Sequence, residues 1–135
     1  MSLPEVEAIR RAVEGIAPRY DLRLAVLFGS AAAGTTHERS DLDIAMLAAN
    51  PLDTDRIYET LAQELAFDRI DVVDLFTAPP LLAFQALRSG VVLFEDRPGR
   101  RLACLSLAAR MSADSAWMDR FKDLYIESVL EKVRE

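Results

Sequence analysis

The sequence predicts an α/β (α+β) domain, a small mixed β-sheet of about four strands with helices packed mainly on one face, followed by a long C-terminal helix. Short apolar runs of strand length alternate with segments of helical period. Gly and Pro signals separate them at short intervals, and no internal repeat or low-complexity tract interrupts the pattern. Val6, Ile9, Val13 and Ile16/Ala17 recur at helical spacing and predict a helix from Leu3 to about Arg19, with Ser2 as cap and Pro4 in the first turn. Leu22 to Phe28 is rich in branched and aromatic residues and stops at Gly29, as a buried strand does. Ser30 to Ala33 reads as a short helix closed by Gly34, and Asp41 to Leu47 as a second strand. After the Asn50-Pro51 turn, Asp53 or Thr54 caps a helix from Asp55 to about Phe67, with Ile57, Leu61 and Leu65 on one face. Ile70 to Phe76 is the third strand, and Pro79-Pro80 opens a helix to about Arg88 that Ser89-Gly90 ends. Val91 to Phe94 is the fourth strand, and Pro98-Gly99 breaks the chain before the helical tail.

A chain of 135 residues allows one domain with a real core and no need of staples. Its single cysteine, Cys104, excludes an internal disulfide framework and a cysteine-rich zinc site. No apolar run reaches the ~18 residues of a membrane span, and the N-terminus lacks the apolar stretch of a signal peptide, so a cytoplasmic protein is expected. The net charge of −6 argues against free nucleic acid as the main partner, because phosphate binding wants a basic face. The charge is uneven: residues 1–96 hold 8 basic against 16 acidic side chains, and residues 97–135 hold 8 against 6. Clustered carboxylates of the acidic body suit either a divalent cation or plain solvation.

The chemistry concentrates between Leu27 and Leu47. Gly29 and Ser30 follow a buried strand directly, where glycine permits a tight turn and close backbone approach to a ligand. The short helix begun by Ser30 offers free N–H groups to a phosphate. Asp41 and Asp43 lie two apart on a strand, so both carboxylates point to one face, and a hard cation such as Mg²⁺ relieves their repulsion. Each feature alone is also an ordinary turn or a solvated edge. Their ordered combination places a phosphate cradle beside a metal site, as nucleotide chemistry requires.

A third carboxylate is expected on another strand. Asp71 and Asp74 both lie in the apolar run Ile70 to Phe76, and being three apart they face opposite sides, so one of them joins Asp41 and Asp43. The alternative is that one of them bonds a neighbouring arginine, Arg69 being adjacent, and neither holds a metal. His37 reads as a surface-loop histidine, Cys104 as a small core residue among Leu102, Leu105 and Ala108, and Trp117 as packing.

At these residues the chain resembles the minimal nucleotidyltransferase (MNT) antitoxin family of HEPN/MNT toxin–antitoxin systems, within the DNA polymerase beta-like nucleotidyltransferase superfamily. The family pattern of Gly-Ser, ten residues and Asp-x-Asp is met by Gly29, Ser30, Asp41 and Asp43; Ser40 and Gly34 match as well. The likeness continues through Asp71-Val72-Val73-Asp74-Leu75, Ala78-Pro79-Pro80-Leu81 and Gly90-Val91-Val92-Leu93-Phe94-Glu95. It implies a polymerase beta palm-like fold, a nucleotidyltransferase domain over residues 1–97 and a helical tail over residues 98–135. It implies two Mg²⁺ ions on Asp41, Asp43 and, by position, Asp71, with Asp74 ranked behind it, and ATP held at Gly29, Ser30 and Ser40. One departure is Ala33, where the family often has an arginine; Arg39 is the alternative cation for phosphate.

The activity so implied is transfer of AMP from ATP to a tyrosine hydroxyl of a cognate HEPN ribonuclease toxin, which neutralises it. A stoichiometric antitoxin that binds with little catalysis stays open, since Ala33 points that way. So does a nucleotidyltransferase acting on a small molecule or RNA, against which the acidity and the lack of a substrate domain weigh. The tail adds a further expectation. A continuous helix from Gly99 to Glu135 is over ~50 Å long at ~1.5 Å per residue, against about 35–40 Å for such a domain, whose expected radius of gyration is roughly 14 Å. The helix is therefore expected to bend, break or overhang, with Ser112 to Ser115 as the place for a break. Beyond it Trp117, Phe121, Leu124/Tyr125, Ser128/Val129 and Val133 form an apolar stripe that either covers the core or makes a homo-oligomer or toxin interface.

Overall fold

The computed structural model describes residues 3–29, 32 and 41–113. In chain order these form α1 (Val6–Tyr20), β1 (Leu22–Phe28), β2 (Leu42–Ala48), α2 (Thr54–Leu65), β3 (Ile70–Asp74), α3 (Pro80–Ser89), β4 (Val91–Glu95) and α4 (Arg100–Ala113). The strands make one mixed sheet in the order β3-β2-β1-β4. β1 runs antiparallel to both β2 and β4, and β2 runs parallel to β3. The β2–β3 link is a crossover through α2, as parallel neighbours require.

The sheet buries both faces unequally. Ala25, Leu27, Ile44, Met46 and Leu93 pack with Ile9, Val13 and Ile16 of α1 and Ile57 and Leu61 of α2 in the larger cluster. The opposite parity of β1, Leu24 and Val26, packs with Ala83 and Leu87 of α3 and Ala108 of α4. The helices expected mainly on one face thus form the main core there, and α3 and α4 add a smaller one on the other face. Leu22 joins the larger cluster although it shares parity with Leu24, because the β1–β2 register shifts between these two residues.

The boundaries have local causes. Asp53 caps α2 by accepting from the Arg56 N–H at 3.2 Å. That helix ends at Ala66, in the left-handed region at φ 49°, and so stops short of the expected Phe67. Strand β3 ends at Asp74 and not at Phe76, because the Asp74 side chain accepts from the Phe76 N–H at 2.9 Å and its carbonyl accepts from Thr77 and Ala78. Gly90 follows α3 where a Cβ would stand 2.6 Å from the Ala86 carbonyl and 3.0 Å from that of Leu27, so only glycine lets α3 turn into β4 against β1. Asp96 accepts two bonds from Arg100 at 2.8 and 2.7 Å, which fix the start of α4; this contact lowers the Asp96 pKa. Helix α4 buries Ala108 and Ser112 and leaves Leu102, Leu107 and Met111 half-exposed or more. No helix among the described residues is long and apolar enough to cross a membrane. The helix expected from Leu3 with Ser2 as cap starts instead at Val6, with Glu5 in extended conformation at the N-cap and no side-chain cap bond. The short helix expected from Ser30, Ala32 apart, and the tail stripe from Trp117 to Val133 lie outside the described residues.

Candidate active site

Phe28, the last residue of β1, pairs with Asp43, the second residue of β2, and Asp43 pairs in turn with Asp71 of β3. Three strands therefore meet at one end of the sheet with a carboxylate on each of two neighbours. Paired residues on parallel strands share a face, so Asp43 and Asp71 stand side by side. Asp41 lies two residues before Asp43 and shares that face. This is the face of the smaller core cluster, to which Leu47 and Leu75 belong by the same parity.

The Gly29 turn closes the site from the β1 side. Its φ is +78°, and a Cβ built there would collide with the Asp43 Oδ2 and lie 3.2 Å from its Cγ. The space a side chain would fill is held by the Asp43 carboxylate. Glycine is required here twice, for its backbone angle and for the room it leaves. Gly29→Ala is expected to cost about 1–2 kcal/mol from the left-handed conformation alone. Displacement of Asp43 adds to that. A thermal melt checks this, and an unchanged Tm would show that the turn tolerates a side chain.

Asp43 is half-buried and its carboxyl pKa is raised, first by burial and then by the negative charges of Asp71 and Asp41. Asp71 is exposed on the edge strand β3. Asp41 is also exposed, its Oδ1 3.8 Å from Nε of Arg69, and Arg69 lies with its guanidinium carbon 5.1 Å from the Phe67 ring centroid. Among the described residues no three His, Cys, Asp or Glu side chains close into a ready-made metal-holding group. The donor set itself suits a hard divalent cation: three carboxylates on one face, with the innermost penalised by its two neighbours.

Of the residues expected from sequence, Gly29, Asp41, Asp43 and Asp71 come together; Ser30 and Ser40, with Ala33 and Arg39, lie outside the described residues. Asp74 sits at the other end of β3. Its two oxygens accept from the backbone N–H groups of Leu52 and Phe76, both at 2.9 Å, which ties the loop before α2 to the turn after β3. Sequence reasoning placed Arg69 beside Asp71 or Asp74 and missed its pairing with Asp41. The signal lay in the register: Leu42 pairs with Ile70, so the preceding residues of the two strands are also neighbours.

Residues 12–98 match the family model described as Polymerase beta, Nucleotidyltransferase. The chain is similar to the protein adenylyltransferase MntA of Shewanella oneidensis, with 45% identity over 76 residues, which are 54% of this chain and 54% of that protein. It thus spans about half the length of the curated relative it matches. Among solved structures it is similar to a chain in a crystal structure of a toxin–antitoxin with AMP-PNP, at 26% identity and a TM-score of 0.68, covering 93% of this chain and 98% of that one. It is also similar to a chain in a structure of the tri-AMPylated Shewanella oneidensis HEPN toxin in complex with MNT antitoxin, at 25% identity and a TM-score of 0.61, covering 90% and 99%. With the family model spanning more than half of its length, the chain belongs to the polymerase beta nucleotidyltransferase family.

Proposed function

We propose that this protein is a Mg²⁺-dependent protein adenylyltransferase and antitoxin, which transfers AMP from ATP to a tyrosine hydroxyl of a cognate HEPN toxin in the cytoplasm. The observation that carries this reading is the pairing of Asp43 with Asp71 at the strand end where the Gly29 turn lies against Asp43. It puts a carboxylate cluster beside the Gly29 turn, which supports reading that turn as the start of a phosphate cradle. The likeness to the adenylyltransferase MntA and to chains of toxin–antitoxin structures supplies the acceptor class. Residues 1–97 are read as the catalytic domain and residues 98–135 as a helical tail.

In this reading the turn at Gly29, with Ser30 and Ser40, holds the triphosphate. Asp41, Asp43 and Asp71 would hold two Mg²⁺ ions, whose chemistry there is to neutralise phosphate charge and ease deprotonation of the acceptor. Asp71 lies on the edge strand of the sheet formed by the described residues, the side from which the acceptor hydroxyl is expected to approach. The tyrosine oxygen bonds to the α-phosphorus, the bond to the bridging β-phosphate oxygen breaks in line, pyrophosphate leaves and the hydroxyl proton goes to solvent.

Incubation with α-labelled ATP, Mg²⁺ and a HEPN toxin tests the proposal. Label is expected on the toxin, and a toxin with its acceptor tyrosine changed to phenylalanine is expected to stay unlabelled. A toxin that is neutralised but never labelled would overturn catalysis in favour of stoichiometric binding.

A further inference from the structure

Asp41 has a cationic neighbour in Arg69, 3.8 Å from its Oδ1. The Arg69 carbonyl accepts from the Leu42 N–H at 2.8 Å, so the two segments are already in register where Asp41 and Arg69 stand opposite each other. Arg69 precedes Asp71 by two residues, which puts it on the same face. The four side chains form two rungs, Asp41 with Arg69 and Asp43 with Asp71. The Phe67 ring backs the guanidinium.

We propose that Arg69 is a built-in counter-ion for Asp41, which a divalent cation must displace before the three carboxylates can act together. The inference rests on the metal-binding reading above. It accounts for a carboxylate set that shares a face yet does not close into a metal-holding group. In this reading the Asp43–Asp71 rung takes a cation first, and Asp41 is released as Arg69 lets go. Both partners of the Asp41–Arg69 pair are partly exposed, 59% and 32%, and the contact is long, so the pair is weak and reversible. A tight buried pair would block the site; a loose one tunes it.

Titration of the nucleotide-free protein with Mn²⁺ alone, followed by the electron paramagnetic resonance of free Mn²⁺, reads this directly. Arg69→Gln is expected to tighten Mn²⁺ about two- to fivefold, the range set by removing an exposed ion pair that competes for Asp41. In an Asp41→Asn background the same change is expected to have no effect, because the competition has gone. Arg69→Met keeps an apolar stem on Phe67 and gives the same reading if the glutamine variant does not fold. Unchanged or weaker binding in the Arg69 variants overturns the proposal. So does equal tightening in the Asp41→Asn background, which marks a long-range charge effect. Asp43→Asn separates the two readings. If it weakens Mn²⁺ while Arg69→Gln changes nothing, the counter-ion role alone fails; if wild type binds no Mn²⁺, both fail.

Discussion

Asp43→Asn is expected to abolish nucleotidyl transfer while leaving the metal-free protein as stable as before or more so. The residue sits at the crossing of the site. It pairs with Phe28 on one side and Asp71 on the other, and the Gly29 turn is built around its carboxylate. Asparagine keeps the shape that the glycine accommodates and removes the charge. In the proposed reaction this carboxylate would hold a metal ion that neutralises transition-state charge, and its loss is expected to lower the rate by roughly 10²-fold or more. Stability moves the other way because the Asp43 pKa is raised by burial, Asp71 and Asp41. A raised folded pKa means that the folded chain binds more protons than the unfolded one between the unfolded value and the folded value. Wild-type stability therefore falls as pH rises from near 3.8 through the raised value, and the ionised carboxylate is a cost at neutral pH. In the asparagine variant that part of the slope is expected to vanish. Melts across pH 3.5 to 7, beside a transfer assay at neutral pH, check both halves. A variant that transfers AMP like wild type, or that melts well below it at neutral pH, would contradict this account of Asp43.

Much of the framework was legible because local signals agreed with one another. Asp53 announced α2 and caps it, and the aliphatic runs at Leu22 and Ile70 start the strands where expected. The ends were less legible where the stop is made by a residue with no bias toward stopping. Ala66 ends α2 in a left-handed conformation that a glycine would have signalled. Phe76 belongs by composition to the third strand, but Asp74 turns the chain before it. Three members of the proposed site, Gly29, Asp41 and Asp43, were legible as candidates because they lie within one stretch of sequence. Its arrangement was not, because it depends on which strands are neighbours. Strand parity says that Asp71 and Asp74 cannot both face Asp43; only the parallel register of β2 and β3 says that Asp71 does. The same register sets Arg69 against Asp41.

The contrast between Asp71 and Asp74 gives the second large effect. Asp71 is exposed, lies against Asp43 and adds to its repulsion. Asp71→Ala removes one of the three charges, so the fold is expected to hold while transfer falls by roughly 10²-fold or more. Asp74 does the opposite work. It receives the Leu52 and Phe76 N–H groups and so joins two loops that start α2 and lead to α3. Asp74→Ala leaves the partly buried Leu52 N–H without this partner, a loss of about 1–3 kcal/mol, while the exposed Phe76 N–H can turn to water. For a domain of this size that is a drop of several degrees in Tm. Asp74→Asn retains one acceptor oxygen and is expected to fall between alanine and wild type, which an effect of charge alone would not produce. Transfer by the folded fraction of either Asp74 variant should stay close to wild type, since the carboxylate lies at the far end of β3 from the acidic face. Measuring Tm and transfer on the same preparations separates the two roles. A stable but inactive Asp74→Ala, together with an active Asp71→Ala, would move the third carboxylate of the site to Asp74.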